Sequence, residues 1–181
     1  MEYLPMSNIL VVLGSARPGR VAEKVLDYVK ADVESRDGVE ITVADLKEIN
    51  LPFFDNEQAP ISPDYTITNP QVAAWSEMVQ SADSVLFITP EYNHTLSAIQ
   101  KNALDSLGPD WNEKPATAVA YGWSGGSLAV ETLREVLGHL KADVKHDIAQ
   151  LGFMKDLNPD GSLLDEANVS LQIKSAIDEI A

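Results

Sequence analysis

Two stretches, NILVVLG (Asn8–Gly14) and SVLFITP (Ser84–Pro90), are apolar almost throughout and do not alternate. A strand with one wet face alternates apolar and polar residues. One that does not must be covered on both faces, which in practice means a parallel sheet between layers of helices. The intervening segments supply those helices. From Arg20 to about Val33, Val21, Val25, Val29 and Val33 recur every fourth residue, and Ala22 and Leu26 widen the stripe. VEITVADL (Val39–Leu46) alternates and reads as a second strand. A helix is expected over about Pro70–Ala82, a short one within Leu96–Leu107, and a fourth strand over Pro115–Gly122. The next helix should face Leu128, Leu133, Val136, Leu137 and Leu140 inward. A fifth strand is expected within Val144–Leu151 and a final helix from about Asp165 to Ile180.

Strands alternating with helices predict an α/β fold with a doubly wound parallel sheet. Five strands in 181 residues suit the flavodoxin-like order 2-1-3-4-5, helices on both faces, with any ligand beyond the strand C-termini. The length fits a single domain over 1–181. The proline-punctuated segment Leu51–Pro70 is a long loop, and such loops are usually lids or interface segments.

Composition narrows the chemistry. The chain has no cysteine, which excludes disulfides, thiolate nucleophiles and iron–sulfur ligation. A net charge of −15, with Lys and Arg few and unclustered, argues against nucleic acid as a partner. The start, MEYLPMSN, has no basic n-region and no long apolar run, so a cytoplasmic protein without leader or membrane span is expected.

Against that acidity, two of the four arginines, Arg17 and Arg20, share one loop, GSARPGR (Gly14–Arg20), between the first strand and the first helix. Gly14 and Gly19 have the spacing of a triphosphate loop, but Arg20 and Val21 replace the Lys and Ser/Thr that reach the outer phosphates and magnesium. A dinucleotide fingerprint is absent too. Helix-start amides, the Ser15 hydroxyl and the two guanidinium groups would make a cradle for one phosphate. The alternative is a tight turn with solvated arginines. Further on, ITPEYNH (Ile88–His94) reads as a stiff, irregular turn: Pro90 keeps Thr89 extended, and Asn93 tolerates unusual backbone angles.

Taken with KNALD (Lys101–Asp105), KPA (Lys114–Ala116), YGWSGG (Tyr121–Gly126) and the tail NPDGSLLDEA, these segments resemble the NADPH-dependent FMN reductase family, flavodoxin-like flavoproteins that include quinone and azo reductases. The resemblance spans nearly the whole chain. It implies FMN as cofactor and NADPH or NADH as co-substrate. The FMN phosphate would lie on Ser15, Arg17, Arg20 and the N–H groups of Val21 and Ala22. Pro90, Glu91, Tyr92 and Asn93 would line the isoalloxazine mainly through main-chain atoms, and Tyr121, Gly122, Trp123, Ser124, Gly125 and Gly126 would close its other side. The implied activity is a ping-pong cycle: hydride passes from NAD(P)H to flavin N5, then electrons pass to a small acceptor such as a quinone, an azo compound or free flavin. No side chain need act as acid, base or nucleophile. A homodimer or homotetramer is implied as well. The sequence departs from the family at Arg20, often a small residue, at Gln100, often Leu, and at Ser106, often Trp. Gln100 and Ser106 fall on a helix that often carries the oligomer contact. Two other classes share the fold, a flavodoxin-type carrier docking on protein partners and a flavin-free binding domain.

Other features read as structural. DLNPDGSLLDE (Asp156–Glu166) nearly spells a calcium loop, but Ala167 stands where the bidentate Glu belongs and Pro159 intrudes, so a turn capping the last helix is expected. His94, His139 and His146 have no metal-ligand spacing, and no metal site is expected. Trp75 reads as helix core. Trp123 is left either beside the flavin or away from it. Phe53 and Phe54 either cover a neighbouring subunit's flavin or pack locally.

Overall fold

A computed structural model describes residues 6–181, so the first five residues, on which part of the reading of the N-terminus rests, lie outside the described residues. Strand β1 (Ser7–Leu13) is followed by helix α1 (Ala22–Val33), β2 (Val39–Asp45) and a one-turn helix α2 (Leu46–Ile49) that the sequence reading did not anticipate. The long loop leads to α3 (Pro70–Ser81), whose start is fixed by Asn69: its Oδ1 accepts from the amides of Gln71 at 2.8 Å and Val72 at 3.3 Å. Then come β3 (Ser84–Pro90), α4 (Ala98–Asp105), a 3-10 turn at Pro109–Trp111, β4 (Pro115–Gly122) and α5 (Ser127–His139). β5 (Asp143–Val144), β6 (Ala149–Gly152) and α6 (Glu166–Asp178) complete the chain.

All strand pairings are parallel, in the order β2-β1-β3-β4-β5, with β6 also on β4. The expected fifth strand is therefore present in two pieces. Asp143 and Val144 pair with Pro115 and Ala116, and Ala149–Gly152 pair with Val119–Gly122. The intervening Lys145–Ile148 form an outward step, pinned where the Thr117 hydroxyl donates to the Asp147 carbonyl at 2.6 Å.

Alternate residues of each central strand point to opposite faces, and both faces are filled. Ile9, Val11, Leu13, Leu86 and Ile88 meet α1 and α6 through Val25, Val29, Val169 and Ile173. Leu10, Val12, Val85 and Phe87 meet α3, α4 and α5 through Trp75, Leu104, Leu133 and Leu137. This two-sided cover is what the unbroken apolar runs required. Leu128 is only half-buried, because α5 begins at Ser127 and the next two residues, Ala129 and Val130, take the inward positions. Gln100 and Ser106, the two departures from the family at α4, are buried within the chain. Gln100 Nε2 donates to Thr89 Oγ1 at 3.0 Å, and Ser106 Oγ donates to the Asn102 carbonyl at 2.7 Å.

One ion pair ties the first loop to the sheet edge. Parallel pairing sets Asp45, the last residue of β2, beside Leu13. The Arg20 guanidinium, its side chain 6% exposed, meets the Asp45 carboxylate in a two-pronged contact, with Nη1 at 2.7 Å from Oδ1. Nη1 also donates to the Ser15 carbonyl at 2.7 Å, and Nε to Glu23 at 3.1 Å. Such fork-on-carboxylate geometry is strong and directional. The Arg20 hydrogen bonds hold the Asp45 carboxyl below its ordinary value of 3.8. A depressed carboxylate contributes stability that is fully present above its ordinary pKa and is lost as pH falls through the folded value. We therefore expect Asp45→Asn to be less stable than wild type at pH 7, with the gap closing below about pH 4. Urea midpoints measured across that range check it, and a gap independent of pH would contradict the pairing.

Candidate functional site

The loops after β1, β3 and β4 open onto a shared cavity of about 410 Å³ at the C-terminal end of the sheet. That size is ordinary for a small-molecule or cofactor site. Register explains the convergence: Leu13 pairs with Ile88, and Pro90 with Tyr121, so β3 and β4 end within one residue of each other and β1 two residues short of β3.

The first loop forms one wall through Ser15, Arg17, Arg20 and Val21, with Pro18 and Gly19 beside them. Ser15 is buried, its Oγ 2.5 Å from the Tyr92 hydroxyl. Helix α1 begins at Ala22 with Val21 as N-cap and no side-chain cap from that residue, so its first-turn amides have no partner within the helix. Ala22 itself is buried below the cavity.

The two arginines are in different situations. Arg20 lines the cavity, but its donors are turned onto Asp45, Ser15 and Glu23, and its pKa is raised mainly by the Asp45 contact. Arg17 takes part in no ion pair among the described residues, and its guanidinium carbon lies 5.9 Å from the centre of the Tyr92 ring. The other two arginines are held internally. Arg36 pairs with Asp32 and Asp178, and Arg134 donates to the carbonyls of Lys145 and His146. In an acidic chain, Arg17 is thus, among the described residues, the cavity-lining arginine that makes no ion pair.

The second wall is a tight hairpin. Tyr92 and Thr95 exchange backbone hydrogen bonds at 2.9 and 3.1 Å, and Asn93 and His94 between them have φ of 48° and 68°. Two left-handed residues in a two-residue hairpin match a primed turn, where Asn is favoured. Pro90, Glu91, Tyr92 and Asn93 all line the cavity, and His94 joins them. The Glu91 carboxylate turns toward the third loop: it accepts from Ser124 Oγ at 2.9 Å and from the Leu128 amide at 3.0 Å. Since Gly126, the N-cap of α5, has no side chain, Glu91 caps that helix from the neighbouring loop.

The third loop contributes Tyr121, Gly122 and Trp123. Tyr121 is buried, and burial, with Tyr92 nearby, pushes its phenol pKa up, so it stays a neutral hydroxyl near Ser15 and the Ala22 amide. Ser124 and Gly125 lie outside this cavity and line an adjoining one of about 230 Å³. Gly126, at φ 75°, is packed so closely that a Cβ would stand 2.8 Å from that of Ala120 and 3.0 Å from the Tyr121 amide nitrogen. Side chains are disfavoured there on both counts.

Phe153 and Pro159 complete the lining and were missed from sequence. Phe153 arrives because Gly152 pairs with Gly122, a juxtaposition no local pattern reveals. Pro159 belongs to the near-calcium turn, which is indeed a turn: Asp160 Oδ1 accepts from the Ser162 amide and hydroxyl at 2.9 and 2.6 Å, and Asp165 caps α6 through the Asn168 amide at 3.0 Å. Among the described residues, no group of three His, Asp or Glu is placed to hold a metal ion. Trp75 is fully buried, as expected. Phe54 packs on Tyr65 with ring centres 6.3 Å apart, while Phe53 is exposed.

A family model described as NADPH-dependent FMN reductase matches residues 7–152. The NAD(P)H-dependent FMN reductase LOT6 of Saccharomyces cerevisiae is 34% identical over 148 residues, covering 77% of this chain and 78% of that one. The FMN-dependent NADPH-azoreductase of Staphylococcus haemolyticus is 30% identical over 177 residues, covering 94% and 92%. Among solved structures, the flavoenzyme NAD(P)H:(acceptor) oxidoreductase FerB of Paracoccus denitrificans superposes with a TM-score of 0.75 over 97% of each chain, at 24% identity, which supports the fold. The match along the chain and the shared architecture agree: this chain belongs to the NADPH-dependent FMN reductase family and is an FMN-dependent NAD(P)H oxidoreductase.

Proposed function

We propose that the chain acts as a single flavin-binding domain whose cavity holds FMN by its phosphate at the first loop and passes electrons from NAD(P)H to a small quinone or azo acceptor. The observation that carries this reading is Arg17, a cation without a carboxylate partner among the described residues, near the N-terminus of α1, whose N-cap residue makes no side-chain cap. Helix dipole, first-turn amides and this guanidinium form an anion cradle that a monophosphate fits. The Ser15 hydroxyl adds a donor. Arg20 acts indirectly, holding the loop in place through Asp45 and the Ser15 carbonyl. This division of labour departs from the role that the family resemblance gives Arg20.

The ring end of the site belongs to the second and third loops. Pro90 to Asn93 offer backbone groups along one edge, and Gly122 lets the chain approach on the other. Glu91 fixes the distance between the two walls by bonding across them. When bound, FMN supplies the redox chemistry, accepting a hydride from NAD(P)H and returning two electrons to the acceptor. The protein binds, orients and partly shields the reactants. The exposed Phe53 and Ile61 of the long loop are the apolar positions we assign to contact with a second copy, and we place the enzyme in the cytoplasm. No helix among the described residues is long and apolar enough to cross a membrane.

Purified protein supplied with FMN and NADPH should consume NADPH when 1,4-benzoquinone is added. Absence of such turnover would remove the reductase reading and leave that of a carrier serving protein partners. For the phosphate cradle, Arg17→Ala should weaken FMN binding about ten-fold or more at low salt, with the difference shrinking as ionic strength rises. Arg20→Ala should chiefly lower thermal stability. Equal, salt-independent losses of FMN affinity in both variants would contradict the division of labour.

A further inference from the structure

The three tryptophans follow different rules. Trp75 and Trp111 are fully buried with ring centres 6.0 Å apart, and their indole N–H groups donate to the carbonyls of Ala103 and Leu104 at 2.9 and 3.3 Å. Trp123 is 74% exposed. Its ring meets Phe153 edge-on, 5.6 Å between centres at 77°, and Phe153 in turn tilts onto Tyr121 at 6.2 Å. Trp123 and Phe153 line both the main cavity and the adjoining 230 Å³ cavity, so the indole stands as a blade between them.

The turn beneath the indole is held firmly. The Gly122 carbonyl accepts from the amides of Gly125 at 3.1 Å and Phe153 at 2.9 Å, and Ser124 is tied to Glu91. A large ring in water on a well-braced turn gains little for the fold, and exposed aromatic surface at a cavity mouth is characteristic of a contact surface for ligand. Of the polar side chains around it, Glu91 and Ser124 bond to one another, while Gln150, Lys155 and Asp156 line the adjoining cavity. A ligand placed on the indole meets a flat π face.

Resting on the reductase reading, we infer that Trp123 is a specificity-determining residue for the electron acceptor: it stacks the ring of planar aromatic acceptors and offers nothing to compact inorganic ones. Aromatic stacking typically changes affinity by up to about ten-fold beyond simple burial.

Because the other two tryptophans are buried, quenching of tryptophan emission in oxidised, FMN-loaded protein reports mainly on Trp123. Titration with 1,4-naphthoquinone should quench saturably, and Trp123→Phe should abolish the saturable part. In turnover, Trp123→Ala should lower the ratio of kcat/KM for naphthoquinone to that for ferricyanide about ten-fold, while Trp123→Phe should restore most of it. Turnover with an unchanged ratio, or quenching that never saturates, overturns the role of Trp123 alone. Failure of the wild type to reduce either acceptor overturns the reductase reading beneath it.

Discussion

Parallel pairing of β1, β3 and β4 is the constraint from which the site follows. Their hydrogen-bonded register brings Leu13 level with Ile88, and Pro90 level with Tyr121, so three loops far apart in sequence emerge side by side. The apolar side chains that make these strands also make them impossible to expose, and helices on both faces force the chain to return in the same direction each time. The cavity is thus a by-product of burial. What the loops contribute is chemistry.

Charge is distributed with economy around that cavity. The chain is strongly acidic, yet three of its four arginines have internal partners, and the remaining one faces the site. Arg20 and Arg17 lie in the same loop and differ through Asp45, which β2 delivers to one and not the other. A guanidinium clamped on a carboxylate makes a rigid strut and a poor phosphate ligand, because its charge is already neutralised. Glu91 is an analogous brace, joining the second loop to the third and capping α5, which has no cap of its own. The side chains of Arg20, read from sequence as a phosphate contact, and of Glu91, read as lining the flavin mainly through its main chain, are both engaged in fixing the walls.

Much of this was legible in the sequence, for physical reasons. Apolar runs that do not alternate identified β1, β3 and β4, and the valine stripe identified α1. Asn93 marked a turn that the structure shows to need left-handed residues. The unread parts all depend on pairings distant in sequence. Nothing local says that Asp45 meets Arg20, that Phe153 enters the cavity beside Gly122, or that Gln100 is buried against Thr89. The split of the last strand was hidden too, because Lys145–Ile148 step away from β4 without any composition that marks a break.

On this reading the first loop recognises a phosphate. Riboflavin is FMN without that group, so titrating the protein with each in turn isolates the contribution. Charge-assisted hydrogen bonds to a guanidinium and helix-start amides predict FMN bound on the order of 100-fold more tightly than riboflavin at low salt. Equal affinities for the two would rule out phosphate recognition by this loop.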